Sequence, residues 1–407
     1  MPLDRLQQTL RAELAKLDSE GRRKGAETTI AGVLPAKDGK GPRYLIAGSG
    51  DKPFLRMNAN NYLGLSLQQA VIAAEDEGVR RFGTGPGAVR FIGGTWASHL
   101  LLEQRLSAFH RRDGAIAFSS AYAAMMGTLP SLVTPETAVI SDALNHNCII
   151  NAIRLARPQQ RFVYPHLDLA ALEQQLDEAA ATCKRAIVVT DGIFSMRGDH
   201  APLDAIAALT QKYDTRFAEN VLLLVDDSHG VGAFGATGRG SEEMTGGTAD
   251  ILVGTLGKAF GVNGGYVTAS AAVIDYLRET SPLYVYSNPI APGEAAAAAT
   301  AVALVDSEAG RAKLAHLQAM TTRFRDGLKK LKLETIAGAH PIVPLMVRES
   351  ARTAALVKHL FGSGILATGL NFPVVPRRDE EIRFQICADH TPADIDEALG
   401  VIATFRA

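Results

Sequence analysis

The stretch Val221-Leu-Leu-Leu-Val-Asp-Asp-Ser-His229 decides the fold. Five consecutive apolar residues with no polar residue between them are typical of a strand that is buried on both faces, as in a parallel sheet covered by helices. Two acids, a serine and a histidine follow immediately. Because ligands of parallel α/β sheets bind at the carboxyl ends of strands, this stretch predicts both a central strand and a functional site at its end.

On both sides of this strand, short β-branched runs alternate with amphipathic helical patterns. The other runs predicted as strands are Ala115–Phe118, Ala138–Ile140, Arg161–Val163, Ala186–Thr190, Ile251–Val253 and Tyr266–Thr268. Helical stretches between them include Leu100–Phe109, Asn145–Leu155, Leu169–Ala180 and Leu203–Tyr213. The alternation predicts an α/β fold with a mainly parallel central sheet and helices on both faces.

After Pro292 the pattern changes to long helices, followed by three shorter strand runs. A smaller α+β domain is therefore expected at the C-terminus. The predicted division is an N-terminal helix and arm over residues 1–54, a large domain that carries the site over 55–290, and the small domain over 291–407.

The N-terminal segment Met1–Lys24 carries leucines at helical spacing among charged residues. These are Leu3, Leu6, Leu10, Leu14 and Leu17. Since no uninterrupted apolar region is present, the segment predicts an amphipathic helix and not a signal peptide. The following stretches Gly39–Pro42 and Gly48–Pro53 are rich in turn residues, which predicts a loop-like arm.

Composition excludes several classes of function. The chain has 407 residues with 47% hydrophobic and 21% charged residues and a net charge of -1, so it offers no broad positive field for nucleic acid or an anionic membrane. Three cysteines lie far apart, which argues against a disulfide framework or zinc ribbon and favours a cytoplasmic location. The most apolar long stretch, Ile290–Val305, is too short to span a membrane. No metal site is predicted.

Two glycine motifs suggest nucleotide binding. Gly230-Val-Gly-Ala-Phe-Gly235 has the spacing of a dinucleotide motif and keeps an NAD-dependent dehydrogenase as an alternative from a different class. However, polar residues separate it from the strand, and Ala236–Gly240 continues as loop where the motif requires a helix. Gly257-Lys258 resembles the end of a P-loop, but Ala259 stands where a serine or threonine is needed.

The ends of two predicted strands carry the chemistry. Asp226 and His229 follow one strand, and Thr255 and Lys258 follow the next. A lysine at such an edge is a candidate to form a Schiff base, because a desolvated amine can titrate near neutrality and act as a nucleophile.

An aldehyde cofactor with a pyridine ring would use all of these groups. In pyridoxal phosphate, Asp226 would keep the ring nitrogen protonated, since a neighbouring carboxylate shifts such a titration by roughly 1–3 pKa units. His229 would hold the phenolic oxygen. Thr255 and the backbone N–H groups after Ser119-Ser120-Ala121-Tyr122, where a strand leads into a helix, would bind the phosphate.

These candidate residues, and two further ones, His146 and Arg383, also have plainer interpretations. Asp226 and Asp227 could be a solvated or capping pair at a strand end, and Lys258 alone could be a surface lysine. His146 could cap a helix. Arg383 could be one of many surface arginines.

Seven segments, taken in order, resemble the α-oxoamine synthases, a family of fold-type I pyridoxal-phosphate enzymes. The segments are Asn60-Asn-Tyr-Leu-Gly-Leu65, Val89-Arg-Phe-Ile-Gly-Gly-Thr95, Ser141-Asp-Ala-Leu-Asn-His146, Thr190-Asp-Gly-Ile-Phe-Ser-Met196, Val225-Asp-Asp-Ser-His229, Gly254-Thr-Leu-Gly-Lys258 and Ile382-Arg383. Together they are highly specific and extend from about Asn58 to the C-terminus.

The resemblance implies a condensation of an amino acid with an acyl-coenzyme A. Lys258 would hold the cofactor as a Schiff base and then remove the Cα proton. His146 would stack on the pyridine ring and donate to the thioester carbonyl. Ser195 and His229 would approach the phenolic oxygen.

The same resemblance implies that Asn60 and Arg383 bind the substrate carboxylate, Arg383 with the two-pronged geometry that lysine lacks. Ser287 and Asn288 would reach the phosphate in the partner subunit, so the active unit would be a homodimer.

Glycine and acetyl-CoA are the expected substrates, in amino-acid metabolism. Decarboxylating members of the family, which use alanine or serine with a longer acyl chain, and a catalytically silent partner subunit remain alternatives. Met125, Pro289 and Asn371 depart from the family pattern, so the resemblance leaves the substrates open.

Overall fold

The computed structural model describes residues 1–20, 22–23, 27–372 and 374–406. The strands are β1 (Ile30–Leu34), β2 (Arg43–Ile46), β3 (Pro53–Arg56), β4 (Gly114–Phe118), β5 (Thr137–Asp142), β6 (Gln160–Tyr164), β7 (Arg185–Asp191), β8 (Asn220–Asp226), β9 (Ile251–Thr255), β10 (Gly265–Ala269), β11 (Ile342–Met346), β12 (Ile365–Leu366), β13 (Thr368–Leu370) and β14 (Glu381–Gln385).

Helices cover the strands and connect them. They are α1 (Pro2–Ser19), α2 (Gln69–Phe82), α3 (Ala97–His110), α4 (Ala121–Leu132), α5 (Asn147–Ala156), α6 (Leu169–Ala180), α7 (Leu203–Asp214), α8 (Ser241–Thr245), α9 (Ala271–Thr280), α10 (Pro282–Val285), α11 (Pro292–Val305), α12 (Glu308–Lys330), α13 (Ser350–Gly362) and α14 (Pro392–Thr404). Two short 3-10 segments, Leu65–Leu67 and Arg90–Ile92, lie in the loops around α2.

The central sheet has seven strands in the order β4-β10-β9-β8-β7-β5-β6. Strands β5 to β9 are mutually parallel, and β10 runs antiparallel to both of its neighbours. The predicted mainly parallel α/β sheet is therefore confirmed, with Val221–Val225 at its centre. Buried apolar side chains form separate clusters on its two faces, as helices on both sides require.

The arm predicted before residue 54 contains strands that the sequence analysis missed. β1, β2 and β3 form an antiparallel meander, and β12 from the C-terminal part of the chain pairs parallel to β3. The residues of β1 are mostly exposed, so this strand lacks the apolar run that marks a buried strand. The predicted loops Gly39–Pro42 and Gly48–Pro53 are the connections of this meander.

The helix predicted within Met1–Lys24 is α1, which ends at Ser19. The remainder of the predicted segment includes residues outside the described part of the chain. The third sheet, β11-β14-β13, is antiparallel and places β14 beside the functional site. None of the helices in the described ranges is long and apolar enough to cross a membrane. The division into domains at residues 54 and 290 stays a prediction.

Candidate active site

Several strands of the central sheet end at one edge with polar residues. β8 ends at Asp226, its neighbour β7 ends at Asp191, and the two residues pair directly in the sheet register. β9 ends at Thr255, and Lys258 follows in the next turn. Because these strands are parallel, the groups that follow them are brought together, as expected for this class of sheet.

A cavity opens at this edge. It is lined by Ala121, Tyr122, His146, Cys148, Asp191, Ile193, Ser195, Asp226, Ser228, His229 and Lys258. The structure thus brings most of the sequence-predicted site residues to one place. Side chains that the sequence analysis did not single out, those of Cys148 and Asp191 among them, line the same cavity.

Burial shifts the pKa values of the ionisable groups in this cavity. Desolvation lowers the pKa of the Lys258 amine from 10.5 to about 8, although the negative charges of Asp226 and Asp191 oppose this shift. Desolvation and the charge of Asp226 raise the pKa of the Asp191 carboxyl well above its usual value. Lys258 therefore has a substantial neutral fraction near pH 7.5, as a nucleophilic amine requires.

His146 lies at the N-terminus of α5. Its Nδ1 accepts a hydrogen bond from the backbone N–H of Cys148 at 3.3 Å, and the backbone N–H of His146 donates to the Asp191 carboxylate at 3.0 Å. Desolvation lowers the pKa of His146, so the ring is neutral. Since Nδ1 accepts, the hydrogen of the neutral ring lies on Nε2. The helix-cap role and the presence of the ring in the cavity are compatible.

The Cys148 thiol lies between His146 and Asp226. Its Sγ lies 3.0 Å from Nδ1 of His146 and donates to Oδ2 of Asp226 over 3.3 Å. The other Asp226 oxygen accepts from the Ser228 N–H at 3.1 Å. Desolvation and the nearby carboxylates raise the pKa of the thiol, which therefore stays protonated and able to donate.

His229 is held by a buried tyrosine. The hydroxyl of Tyr62 lies 2.8 Å from Nδ1 of His229, and the backbone oxygen of His229 contacts Nε2 of His340 at 2.9 Å. Desolvation and the charges of Lys258 and Arg383 lower the pKa of His229 well below its usual value, so the imidazole is neutral. Desolvation raises the pKa of Tyr62, which stays protonated.

Arg383 lies on β14 beside the cavity and contacts Ser195, a residue of the cavity wall. Its Nε donates to the backbone oxygen of Ser195 at 2.6 Å, and its two terminal nitrogens lie 3.5 Å from Oδ1 of Asn60. A bond through Nε fixes the plane of the guanidinium, while 3.5 Å is the outer limit of a hydrogen bond. Asn60 and Arg383, which are 323 positions apart in sequence, thus stand together beside the cavity.

The N-terminus of α4 forms another wall. Ser120 caps this helix by accepting from the Ala123 N–H at 3.0 Å, whereas the N–H groups of Ala121 and Tyr122 have no acceptor within the described chain. Gly265 of β10 lies so close that a Cβ there would stand 2.1 Å from the Ala121 nitrogen, so only glycine fits. These open amides at a helix N-terminus suit an anionic group.

Five predicted residues are not among those that line the cavity: Asn60 and Arg383, which stand beside it, and Thr255, Ser287 and Asn288. The Thr255 hydroxyl donates to the Gly264 oxygen at 3.3 Å and accepts from the Gly257 N–H at 3.1 Å, so it stabilises the turn that carries Lys258. Ser287 and Asn288 follow α10 away from the cavity of their own chain. Their assignment to a partner subunit stays a prediction.

The motif Gly230–Gly235 forms turns and opens no helix, and the next helix, α8, begins only at Ser241. The neighbouring His229 is hydrogen-bonded to the Tyr62 hydroxyl. A dinucleotide site at this position is therefore not supported.

Among the missed residues, Asp191 could have been found from sequence, because it ends a predicted strand as Asp226 does. Tyr62 and Cys148 carried no such signal, since their contacts join segments that are 167 and 78 residues apart.

Comparison with known proteins gives a consistent result. The family model for aminotransferase class I and II matches residues 52–402. An 8-amino-7-oxononanoate synthase of Thermosipho melanesiensis is 38% identical over 350 residues, which cover 86% of this chain and 87% of the relative. The 2-amino-3-ketobutyrate coenzyme A ligase of Escherichia coli is 41% identical over 360 residues, which cover 85% of this chain and 88% of the relative.

Solved structures of serine palmitoyltransferase share the fold. The enzyme from Sphingomonas wittichii superimposes with a TM-score of 0.87 at 28% identity, over 97% of this chain and 96% of the other. A variant from S. paucimobilis with a bound pyridoxal phosphate–myriocin aldimine superimposes with a TM-score of 0.85 at 27% identity, over the same shares of the two chains.

Proposed function

We propose that this chain, which belongs to the aminotransferase class I and II family and within it to the α-oxoamine synthases, condenses an amino acid with an acyl-coenzyme A at a pyridoxal phosphate held by Lys258. The observation that carries the proposal is the single cavity in which Lys258, Asp226, His146 and His229 meet. A carbon–carbon bond forms between the amino-acid Cα and the acyl carbonyl. The carbon–sulfur bond breaks, and coenzyme A leaves as the thiol.

The residues of the cavity fit pyridoxal phosphate. The amides of Ala121 and Tyr122 suit its phosphate, the Lys258 amine its aldehyde, and the Asp226 carboxylate its ring nitrogen. When bound, the cofactor supplies an electron sink for the negative charge that develops at Cα. Asp226 favours this by holding a proton at the ring nitrogen.

Lys258 has two tasks in this reaction. Its amine, with a pKa lowered to about 8 by desolvation, holds the cofactor and then accepts the proton from Cα once the substrate amine has displaced it. The neighbouring Asp191 and Asp226 keep the opposite charge close by, so the protonated amine stays stable inside the cavity.

His146 and His229 donate from Nε2. The N–H of Cys148 occupies Nδ1 of His146, which leaves its Nε2–H to face the thioester carbonyl and stabilise the charge that develops on its oxygen. The Tyr62 hydroxyl is hydrogen-bonded to Nδ1 of His229, and the His229 tautomer with its hydrogen on Nε2 would present that N–H to the phenolic oxygen of the cofactor. Ser195, which lines the cavity, assists at that oxygen.

Asn60 and Arg383 orient the amino acid. The Arg383 guanidinium, fixed through its Nε by the Ser195 oxygen, presents its terminal nitrogens to the substrate carboxylate. This contact positions Cα toward Lys258.

Glycine and acetyl-CoA are the substrates we expect. The E. coli relative is named for 2-amino-3-ketobutyrate, a four-carbon product that a two-carbon amino acid and a two-carbon acyl group form together. The name 8-amino-7-oxononanoate describes a product whose amine-bearing carbon has no carboxylate, and this supports a decarboxylating reaction as the second candidate.

Thiol release tests the proposal. The purified protein, supplied with pyridoxal phosphate, is incubated with glycine, alanine or serine and with thioesters of increasing length, while thiol and CO2 are measured. Thiol release with glycine and acetyl-CoA without CO2 is expected. CO2 release with alanine or serine would favour the second candidate.

The variant Lys258→Ala should lose both the visible absorbance of the bound cofactor and thiol release. Lys313→Ala, which removes a partly buried lysine 3.8 Å from Asp389, is the matched control and should retain both. Turnover that survives in Lys258→Ala would contradict the role assigned to that lysine.

We also propose a homodimer in which Ser287 and Asn288 reach the phosphate of the partner's site. Mixing Lys258→Ala with the double variant Ser287→Ala, Asn288→Ala should restore activity, because one site of each mixed dimer contains neither change. With random exchange, about a quarter of the sites are intact. No recovery in dimers shown to have exchanged subunits would contradict the shared site.

A further inference from the structure

The segment that carries Ser287 and Asn288 has no regular secondary structure of its own. It spans residues 286–291, between α10 and α11, and neither side chain makes a hydrogen bond within the described part of the chain. Such a segment keeps a defined position only if the rest of the fold holds its two ends. If it serves a partner's site, the residues that hold these ends also contribute to that site.

His99 of α3 holds the far end of this segment. Its side chain is fully buried, its Nδ1 accepts from the backbone N–H of Trp96 at 3.1 Å, and its Nε2 lies 2.9 Å from the backbone oxygen of Ile290. Desolvation lowers the pKa of His99, so the ring is neutral. Because Nδ1 accepts, the single hydrogen of the ring lies on Nε2 and is donated to Ile290.

Two arginines hold the near end of the segment through Tyr284 of α10. A terminal nitrogen of Arg278 donates to the Tyr284 hydroxyl at 2.7 Å, and the Arg90 guanidinium lies 5.4 Å from the centre of the tyrosine ring. Glu103 joins the two arginines, since it accepts from both terminal nitrogens of Arg90 at 3.0 and 3.2 Å and from Arg278 at 2.9 Å. Charge-assisted hydrogen bonds thus connect α3 to α10.

Glu103 is a buried charge with strong donors on both of its oxygens. Glu103 and Arg90 are each 5% exposed, and Oε1 of Glu103 also accepts the Ala117 N–H of β4 at 3.0 Å. Taking such charges out of water carries a desolvation penalty that apolar packing would avoid. In return, the bidentate geometry fixes direction as well as distance, which a segment without secondary structure needs.

One face of α3 therefore holds both ends of the segment. His99 and Glu103 are four residues apart, which places them one turn apart on the buried face of this helix. α3 itself packs against α11 and β4. The segment is thus attached to the packed body of its own subunit.

The surface next to the segment is exposed and apolar. The 3-10 segment Arg90–Ile92 contacts α10, and its Phe91 and Ile92 are 67% and 65% exposed, while Tyr286 is 78% exposed. Large apolar side chains that are exposed together commonly mark a surface that another protein covers. The segment is therefore placed where a second copy of this chain would meet it, as the proposed homodimer requires.

Resting on the function and the homodimer proposed above, we propose that His99 and Glu103 are positioning residues for the partner's active site. From α3 they hold the Ser287–Asn288 segment where it binds the phosphate of the cofactor in the other subunit. None of the contacts described for them involves a residue that lines the cavity of their own chain. Their effect is exerted across the subunit interface.

Glu103→Gln tests this role. The variant keeps the shape of the side chain and removes its charge, which leaves Arg90 and Arg278 without their shared counterion. The Kd for pyridoxal phosphate, measured by titration of its visible absorbance, should rise at least about tenfold, as expected for the loss of one hydrogen bond to a charged group. This readout does not depend on turnover.

A mixed dimer distinguishes an effect across the interface from one within the chain. Glu103→Gln is allowed to exchange subunits with a large excess of Lys258→Ala, so that nearly every Glu103→Gln subunit has a partner with an intact segment. Borohydride then fixes pyridoxal phosphate covalently to Lys258, which only the Glu103→Gln subunits contain. These sites should regain the affinity of the wild type, because the segment that completes them comes from the other subunit.

Glu242→Gln is the matched control. Like Glu103, Glu242 accepts from an arginine and from a backbone N–H, those of Arg112 and Ala249, each at 2.6 Å. Neither partner belongs to the segment, so the Kd for the cofactor should equal that of the wild type. If Glu103→Gln does not fold, Tyr284→Phe, which removes only the hydroxyl that Arg278 binds, should raise the Kd about threefold and recover in the same mixed dimers.

A Kd in Glu103→Gln equal to that of the wild type would overturn the inference. So would a loss that persists in dimers shown to have exchanged subunits, because the effect would then act within the chain, through β4 and the open amides of α4 that follow it. A wild type that binds the cofactor but releases no thiol would contradict only the proposed function, since the Kd comparison still decides the role of Glu103. A wild type that binds no cofactor would contradict both.

Discussion

Two aspartates of the central sheet occupy equivalent positions and have different surroundings. Asp142 ends β5 and Asp226 ends β8, with only β7 between them. The carboxylate of Asp142 accepts from the Leu144 N–H at 2.8 Å, the Leu167 N–H at 2.9 Å and Nδ1 of His166 at 3.0 Å. Asp226, in contrast, accepts one backbone N–H and a weak thiol donor and faces a cavity.

This difference distinguishes an aspartate that stabilises the fold, Asp142, from one that can bind a ligand, Asp226. A carboxylate whose two oxygens are held by strong donors away from a cavity holds loops together, whereas one that faces a cavity with a single backbone donor can bind a ligand. Asp227 makes the same point one residue from Asp226, because its carboxylate is engaged by the backbone and hydroxyl of Ser241 at 2.7 and 2.6 Å.

The largest effect is expected for Asp226→Asn. The amide cannot hold a proton at the cofactor ring nitrogen, so kcat should fall about 10- to 1000-fold, in line with the 1–3 pKa units that a neighbouring carboxylate supplies. Steady-state thiol release measures this. Asp142→Asn should show the reverse pattern, with a loss of unfolding free energy of about 1–3 kcal/mol and a smaller loss of kcat. Equal losses of kcat in both variants would remove the distinction.

The second prediction concerns His166, which bridges Asp142 and Asp199 at 3.0 and 3.3 Å. Burial lowers its pKa, but the hydrogen bonds and charges of the two carboxylates outweigh this and raise it from 6.5 to about 9. The imidazolium therefore stabilises the fold fully below pH 6.5, and its contribution is lost as the pH rises through 9.

His166→Gln should accordingly lower the unfolding free energy by up to about 3 kcal/mol at pH 6 and by much less at pH 10. Urea denaturation of both proteins across this range measures the difference. A gap between wild type and variant that stays constant with pH would show that His166 does not titrate in this way.

The third prediction uses two tyrosine–histidine pairs with the same hydrogen-bond length. Tyr62 contacts Nδ1 of His229 at the cavity, and Tyr266 contacts Nε2 of His110 in the core, each at 2.8 Å between buried side chains. Tyr62→Phe should lower kcat about tenfold, because it removes a hydrogen bond of roughly 1–1.5 kcal/mol that holds Nδ1 of His229. The imidazole can then exchange its hydrogen between the two ring nitrogens.

The visible absorbance of the bound cofactor should also titrate at a different pH in Tyr62→Phe. Tyr266→Phe should cost similar stability and leave both the absorbance titration and kcat unchanged. If the two variants behave alike, the Tyr62 hydroxyl has only a packing role.

The smallest effect is expected at Cys148, whose thiol is the weak donor to Asp226. Cys148→Ala should reduce kcat about threefold, as expected for a net hydrogen bond of roughly 0.5–1 kcal/mol, and Cys148→Ser should restore most of it. Cys183→Ala removes a buried thiol far from the cavity and is the control. A serine variant no better than the alanine variant would argue against hydrogen bonding at this position.

Much of the fold could be predicted from the sequence. The strand runs around Val221–Val225 and the helices between them all appear within a few residues of their predicted bounds, because burial on both faces leaves a continuous apolar signal. The N-terminal meander was missed because its strands are short and partly exposed. Exposed strands follow no apolar period, so only their pairing partners reveal them.

The residues of the candidate site also fall into those that could be predicted from the sequence and those that could not. Lys258, Asp226 and His229 could be selected because each follows a recognisable strand. Thr255 was selected by the same reasoning, yet the structure engages its hydroxyl in the turn before Lys258. Tyr62 and Glu103 could not be selected, since their significance lies in what surrounds them.

The sequence by itself determined the parallel sheet, the edge at which polar groups gather and Lys258 as the candidate lysine, because each depends on residue order and apolar periodicity along the chain. Only the tertiary structure decided which aspartate faces the cavity, which groups contact each histidine ring, and that Oε1 of Glu381 is buried without a hydrogen-bond partner in the described part of the chain. Hydrogen-bond saturation and desolvation depend on groups that are distant in sequence, so these properties exist only once the chain is folded.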